Sequence, residues 1–201
     1  MEPMSSTHPV SYGAHVASEA DLRLCGDVTG TRVVELGIAD PPNAIGLALA
    51  GAKVIVVDPS AESIADVRRR AEDAEVRLEC HQSDLADLGF ITSASVDVVL
   101  LVHRLGDVDD LARLLRQAHR ILKPDSPLVL AIAHPASAMT VGDAATPARR
   151  YGEGGRTLGE LFMALQRSNF RVDVLHELDA LDRRESLAPA VLVLRARKLG
   201  V

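Results

Sequence analysis

Gly37, Asp58, Asp84, His103 and His134 each stand just past a short apolar run of this chain. A carboxylate at such a place can accept two ribose hydroxyl bonds, and a helix that starts beyond a glycine can turn its positive end to an anionic or zwitterionic ligand. Asp58 falls about 20 positions beyond Gly37, the separation expected between the first turn and the acid of a nucleotide-binding βαβ unit. His103 and His134 are the two imidazoles placed for proton transfer. Plainer roles compete at every position. Asp58 could be a surface acid, Asp84 a helix N-cap, Glu35 a partner of nearby backbone N–H groups, and either histidine a satisfied strand end. The chain holds no Ser/His/Asp elbow, no phosphate loop and no His/Cys set at metal-ligand spacing.

The elements that would position these residues are legible in order. Arg32–Leu36 is a β-branched run that stops at Gly37, and a small-residue helical pattern follows from about Asn43 to Ala50. Lys53–Val57 is a second strand, and Ser60 caps the helix carrying Ile64, Val67 and Ala71. Val76–Cys80 alternates as a third strand, and Val98–Val102 has the continuous apolar character of a strand buried on both faces. Leu111, Leu114, Leu115 and Ala118 recur at helical spacing up to Leu122, and Pro127–Ala133 is a fifth strand. Thr157 and Glu160 form a capping box for a helix ended by Asn169. Arg171–Leu178 and Ala190–Arg197 read as two more strands, joined by the charged loop Asp179–Pro189. Ahead of all this, Glu19–Cys25 reads as a short helix capped by Ser18. Strands alternating with helices predict an α/β fold, a doubly wound Rossmann-like seven-stranded sheet with one antiparallel C-terminal strand at its edge.

Composition narrows the function. The 201 residues suit one domain, with Met1–Val16 as a partly mobile arm and residues 17–201 as the folded unit. A net charge of −6 argues against a nucleic-acid surface. Apolar runs far shorter than the ~20 residues of a span argue against a membrane protein. Aromatic content of 2% argues against a base-stacking platform. Cys25 and Cys80 lie far apart and read as reduced thiols. With no N-terminal signal pattern, a cytoplasmic location is expected.

Val33-Val34-Glu35-Leu36-Gly37, Val56-Val57-Asp58-Pro59-Ser60, Gln82-Ser83-Asp84-Leu85, Ser95-Val96-Asp97 and the Ile121-Leu122-Lys123-Pro124 turn occur in that order. With these anchors the chain, over roughly Ala17–Lys198, resembles the class I S-adenosylmethionine-dependent methyltransferases. The resemblance implies that Glu35 and Gly37 lie beside the methionine part of the cofactor and that Asp58 takes the ribose hydroxyls. Asp84 would face the adenine amino group, with the Leu85 backbone nearby. Ala39, Pro59 and Ser83 complete the cofactor-binding set, Tyr12 of the arm covers the ligand, and His103 lines the transfer cleft. One departure is clear. The family's acid-x-Gly-x-Gly-x-Gly loop is here Glu35-Leu36-Gly37-Ile38-Ala39-Asp40-Pro41, so Ala39 and Pro41 replace two glycines and Asp40 adds a carboxylate.

The expectation is therefore a methyltransferase using S-adenosylmethionine on a small molecule, with no metal and with the oligomeric state open, a homodimer included. The acceptor would be set by the arm and by the loop Ala136–Gly155. The first alternative is a non-catalytic binding or subunit-interaction module of the same fold, favoured by the lost glycines. The second, a nicotinamide-dependent oxidoreductase, is disfavoured because Gly-x-Gly-x-x-Gly is unmet at Ala39 and Pro42.

Overall fold

The computed structural model describes residues 10–139, 149–153, 155–182 and 188–200. The chain runs through α1 (Glu19–Leu22), β1 (Arg32–Leu36), α2 (Asn43–Leu49), β2 (Lys53–Asp58), α3 (Ala61–Asp73), β3 (Leu78–Gln82) and β4 (Val98–Val102). It continues through α4 (Leu111–Ile121), β5 (Pro127–Ala133), α5 (Leu158–Arg167), β6 (Phe170–Leu178) and β7 (Val191–Lys198). The strands form one sheet in the order β3-β2-β1-β4-β5-β7-β6. β1 to β5 are parallel, and β7 runs antiparallel to both β5 and β6.

The seven-stranded doubly wound sheet is thus as expected, with one refinement. The antiparallel strand is not at the edge: β7 inserts between β5 and β6, and β6 is the edge strand. Burial explains the order. Val191–Leu194 are buried in succession, whereas β6 alternates between covered and exposed side chains. A strand buried on both faces belongs inside a sheet, and an alternating one can stand at its margin.

The central strands divide their side chains between two apolar layers, as the two-residue period of a strand requires. Val34, Leu36, Ile55, Val57, Val99 and Leu101 pack with Leu114, Leu115, Ile121, Leu161 and Leu165 of α4 and α5. Val33, Val54, Val56, Val98, Leu100 and Val102 pack on the other face with Leu47, Ile64, Val67 and the N-terminal segment. Ser60 and the Thr157–Glu160 capping box stand where the sequence put them, Ser60 accepting from Ser63, and Asp110 caps α4 by accepting from Arg113.

Several boundaries differ from expectation by one to three residues, and two of the shifts have a clear backbone reason. The third strand begins at Leu78, not Val76, because Glu75 is left-handed and the Val76 N–H still bonds to the Ala71 carbonyl of α3. The first helix ends at Leu22, not Cys25. Arg23 is left-handed, and the N–H groups of Leu24, Cys25 and Gly26 donate to the Glu19 carboxylate at 3.0, 2.7 and 3.2 Å instead of to helical carbonyls.

That carboxylate also accepts the Tyr12 hydroxyl, and it is buried. Val10 and Tyr12 are buried with it, and the Val10 carbonyl accepts the Glu19 N–H. The described part of the arm, residues 10–16, is therefore packed onto the domain. The lining of this corner predicts the result of Glu19→Ala. Three backbone donors and a buried hydroxyl lose their acceptor, and each unsatisfied buried group costs about 1–3 kcal/mol. The variant should lose at least about 2 kcal/mol in urea unfolding and be cut faster by protease in residues 10–16. An unchanged unfolding midpoint would contradict the anchoring role of Glu19.

Candidate functional site

The strand order reverses between β1 and β4, which makes their C-terminal ends the switch point of the sheet, where open α/β sheets bind ligands. A cavity of about 270 Å³ lies there, lined by Ile38–Pro41 after β1, Val102–Arg104 at the end of β4, and Ser11 and Gly13 of the N-terminal segment. A larger open depression of about 850 Å³ lies at the other end of the sheet, against Arg32, Lys53 and Leu78, the first residues of their strands. None of the sequence-predicted site residues lines that depression.

Two buried carboxylates underlie the cavity. Glu35, on β1, accepts N–H bonds from Ala39 at 3.4 Å, Asn43 at 3.2 Å and Ala44 at 2.8 Å. It thereby caps α2 from outside the helix, because the N-cap residue Pro42 has no side chain able to do so. Burial pushes the Glu35 carboxyl up to about 7, against the opposing pull of those N–H bonds, and the nearby Asp58 charge adds to the rise. Asp58, at the end of β2, is fully buried. It accepts from Ile38 N–H at 2.9 Å and Ser60 N–H at 2.8 Å.

Arg104 shuts this acid from above. Its Nη2 stands 3.3 Å from Asp58 Oδ2, its Nη1 donates to the Ile38 carbonyl at 2.9 Å, and its Nε donates to Asp107 at 2.5 Å. The side chain lies directly on Gly37, where an added Cβ would come within 2.6 Å of Arg104 Cβ and Cγ. Gly37 also has φ +73°, so glycine meets two needs there, the left-handed turn and the close approach.

The N-terminal segment is strapped over the cavity by two side chains. Asn43 of α2 accepts the Ser11 N–H at 2.8 Å and donates to the Ser11 carbonyl at 3.2 Å. His103 Nε2 donates to the Tyr12 carbonyl at 2.8 Å, which leaves Nδ1 as the acceptor nitrogen of the neutral ring. His103 is itself left-handed, at φ +55°. The Tyr12 side chain points away from the cavity to Glu19 and Cys25.

The other predicted residues are placed as follows. Ala39 and His103 line the cavity, and Glu35, Gly37 and Asp58 lie behind Arg104. Pro59 is exposed and accepts from Gln82 through its carbonyl at 3.3 Å. The Ser83 N–H donates to the Asp58 carbonyl at 3.2 Å, which ties the β3 end to the β2 end. Asp84 is exposed and accepts the Ala86 N–H at 2.8 Å, so it closes a turn and starts no helix. Leu85 is buried in the α4 layer. His134 is buried: its Nδ1 accepts from Ala136 N–H at 3.1 Å and its Nε2 donates to Glu177 at 2.9 Å. Half of the loop expected to carry the ligand, residues 140–148 and 154, lies outside the described residues. Sequence reading missed Arg104, Asp107, Asn43 and Ser11. The available signal was an arginine directly past a strand end with an acid three residues on. Among the described residues no three His, Cys, Asp or Glu side chains are grouped to hold a metal ion, and no helix is long and apolar enough to cross a membrane.

Fold and site together define a Rossmann-like α/β domain with an acid-ended βαβ unit beneath a switch-point crevice. A methyltransferase-domain family profile matches residues 34–130, which contain that unit. The matched segment and the shared fold are similar to those of S-adenosylmethionine-dependent methyltransferases. An S-adenosylmethionine-dependent methyltransferase from Mesorhizobium loti superposes with a TM-score of 0.70 at 27% identity, over 86% of this chain and 93% of that one. Geranyl diphosphate C-methyltransferase from Streptomyces coelicolor shares the fold, with a TM-score of 0.71 at 14% identity over 89% and 75% of the two chains. The ubiquinone biosynthesis O-methyltransferase of Sodalis glossinidius is 31% identical over 103 residues, 51% of this chain and 41% of that protein. That of Xanthomonas oryzae is 27% identical over 129 residues, 64% and 51%. The chain thus spans about half the length of these curated relatives.

The buried Glu35 predicts a specific pH dependence. Its carboxyl is raised from an ordinary 4.5 to about 7 in the folded chain. Its stabilising contribution is therefore full below about 4.5 and is lost as pH rises through about 7. Stability measured by urea unfolding should rise between pH 8 and pH 5.5 in the parent and rise less in Glu35→Gln. Equal pH slopes in the two proteins would show that the three N–H bonds keep Glu35 ionised throughout.

Proposed function

We propose that the protein is an S-adenosylmethionine-dependent methyltransferase acting on a small molecule. The observation that carries this reading is the crevice at the β1/β4 switch point with the Asp58 carboxylate fixed beneath it. The residues fit the cofactor. Asp58 is the acceptor a ribose diol needs, and two backbone N–H groups hold it in place at the end of β2. S-adenosylmethionine supplies a methyl group already activated on a sulfonium. The chain then has three tasks. Asp58 and the Glu35-braced loop fix the ribose and methionine ends. The Ser11–Gly13 strap and Asn43 exclude water. The free Nδ1 of His103, at the cavity wall, takes the proton of an acceptor that arrives protonated. His134 has both ring nitrogens in hydrogen bonds and acts as a positioning residue for Ala136 and Glu177. The relatives' activity, an O-methyltransferase step, favours an oxygen nucleophile.

A second reading, a binding module without catalysis, draws support from the closure of Asp58 by Arg104 and from Ala39 and Pro41 in place of glycines. The nicotinamide alternative has no comparable support.

Calorimetric titration separates the two remaining readings. The proposed enzyme binds S-adenosylmethionine and S-adenosylhomocysteine at one site and transfers labelled methyl to members of a phenol and catechol panel. Binding without transfer to any acceptor favours the module. Asp58→Ala, checked for native circular dichroism, should weaken both ligands at least about tenfold, because each hydrogen bond to a charged acceptor is worth about 1.5–3 kcal/mol. Affinity equal to that of the parent would remove Asp58 from the site.

A further inference from the structure

We infer that Arg104 occupies the ribose subsite and that a nucleoside cofactor reaches Asp58 by displacing it, with Asp107 receiving the displaced guanidinium. The inference rests on the S-adenosylmethionine reading above and concerns a residue outside the motifs that carry it.

Four observations lead there. Asp58 has no accessible surface, and among the described residues the one side chain paired with it is Arg104. Arg104 also covers Gly37 so closely that only a residue without Cβ tolerates it. The close approach that glycine permits is thus taken up by the protein's own side chain. The remaining cavity of about 270 Å³ is below the roughly 300–1,000 Å³ of ligand pockets, and Arg104 forms part of its wall. Finally, Arg104 is held by two acids of opposite character. Asp58 is buried, whereas the Asp107 side chain is half-exposed, at 51%.

Those two acids make a two-position arm. The Nε–Asp107 bond is already formed, so rotation of the guanidinium toward Asp107 keeps one anionic partner throughout. Asp58 is not orphaned by the move, because the Ile38 and Ser60 N–H bonds remain. What it loses is the positive charge of one guanidinium nitrogen, Nη2, 3.3 Å from Oδ2, and a cis-diol offers O–H donors to the same carboxylate. A ligand without vicinal hydroxyls cannot make this exchange. The bond from Arg104 Nη1 to the Ile38 carbonyl breaks in the same rotation, while the Ile38 N–H bond to Asp58 keeps the loop in place.

The test is calorimetry with S-adenosylmethionine and S-adenosylhomocysteine on the parent, Arg104→Ala and Asp107→Ala, with melting temperatures of the ligand-free proteins. Arg104→Ala should bind at least about tenfold tighter than the parent, since a charge-assisted competitor is gone, while its ligand-free melting temperature falls. Asp107→Ala should bind severalfold more weakly, because the guanidinium is left with Asp58 alone. A purely structural Arg104 would not move the two variants in opposite directions. Should Arg104→Ala fail to fold, Arg104→Lys takes its place, since one ammonium cannot hold three partners together, and tighter binding is again expected. Ligand binding by Arg104→Ala and not by the parent supports the arm directly. Binding by the parent with equal or weaker affinity in Arg104→Ala overturns the arm and leaves the methyltransferase reading standing. Failure of parent and both variants to bind either ligand overturns that reading, and the arm with it.

Discussion

Two carboxylates are buried side by side at the ends of adjacent parallel strands, and the loop between them exists in a form that satisfies both. Glu35 gathers N–H groups from Ala39, Asn43 and Ala44, and Asp58 gathers them from Ile38 and Ser60. Four backbone donors between Ile38 and Ala44 are therefore committed to an acid, as burial of ionisable groups demands. The consequence reaches outward. Because Glu35 fixes the start of α2, Asn43 is placed to hold Ser11, and the N-terminal segment closes one wall of the crevice. Because the Asp58 charge lacks a cation in its own βαβ unit, one arrives from the neighbouring strand end as Arg104.

The fold was largely legible because hydrophobic periodicity reports burial, and burial decides strand and helix in a doubly wound sheet. Val98–Val102 reads as a two-face strand and is one, buried at every position. The misses have a common origin in side-chain or left-handed backbone chemistry that overrides periodicity. Glu75, left-handed at φ +55°, delays β3, and Glu19 takes over the N–H groups that would have extended α1. Inside the sheet, the order β5-β7-β6 was not readable from pairing sense alone. It follows from Val191–Leu194 being covered on both sides.

The candidate site was half legible. Strand ends collect functional groups, so Asp58, Gly37 and His103 could be named from position. Which groups meet could not, because contacts such as Arg104 with Ile38, or His103 with Tyr12, join residues far apart in sequence. Tyr12 illustrates the limit. Its position near the crevice was anticipated, but its hydroxyl answers to Glu19, a partner that no local pattern announces. Asp84 shows the reverse, since a local Asx turn to Ala86 uses the acid and no helix follows.

The missing glycines of the first loop now have a physical setting. Ala39 is buried yet adds only a methyl at the cavity wall, while Asp40 and Pro41 face solvent. The proline lacks an N–H, but the donors that Glu35 requires come from Ala39, Asn43 and Ala44, so nothing in the acid's shell depends on position 41. The glycine retained is the one that cannot change. Gly37 combines a positive φ with a side chain pressed onto its Cα, and either condition alone disfavours any other residue. The loop has thus kept glycine where backbone and contact both require it and replaced it where the chain faces water or open cavity. Loss of the flanking glycines thus leaves the Asp58 carboxylate and its two N–H bonds in place, and what closes it is the arginine that stands on it.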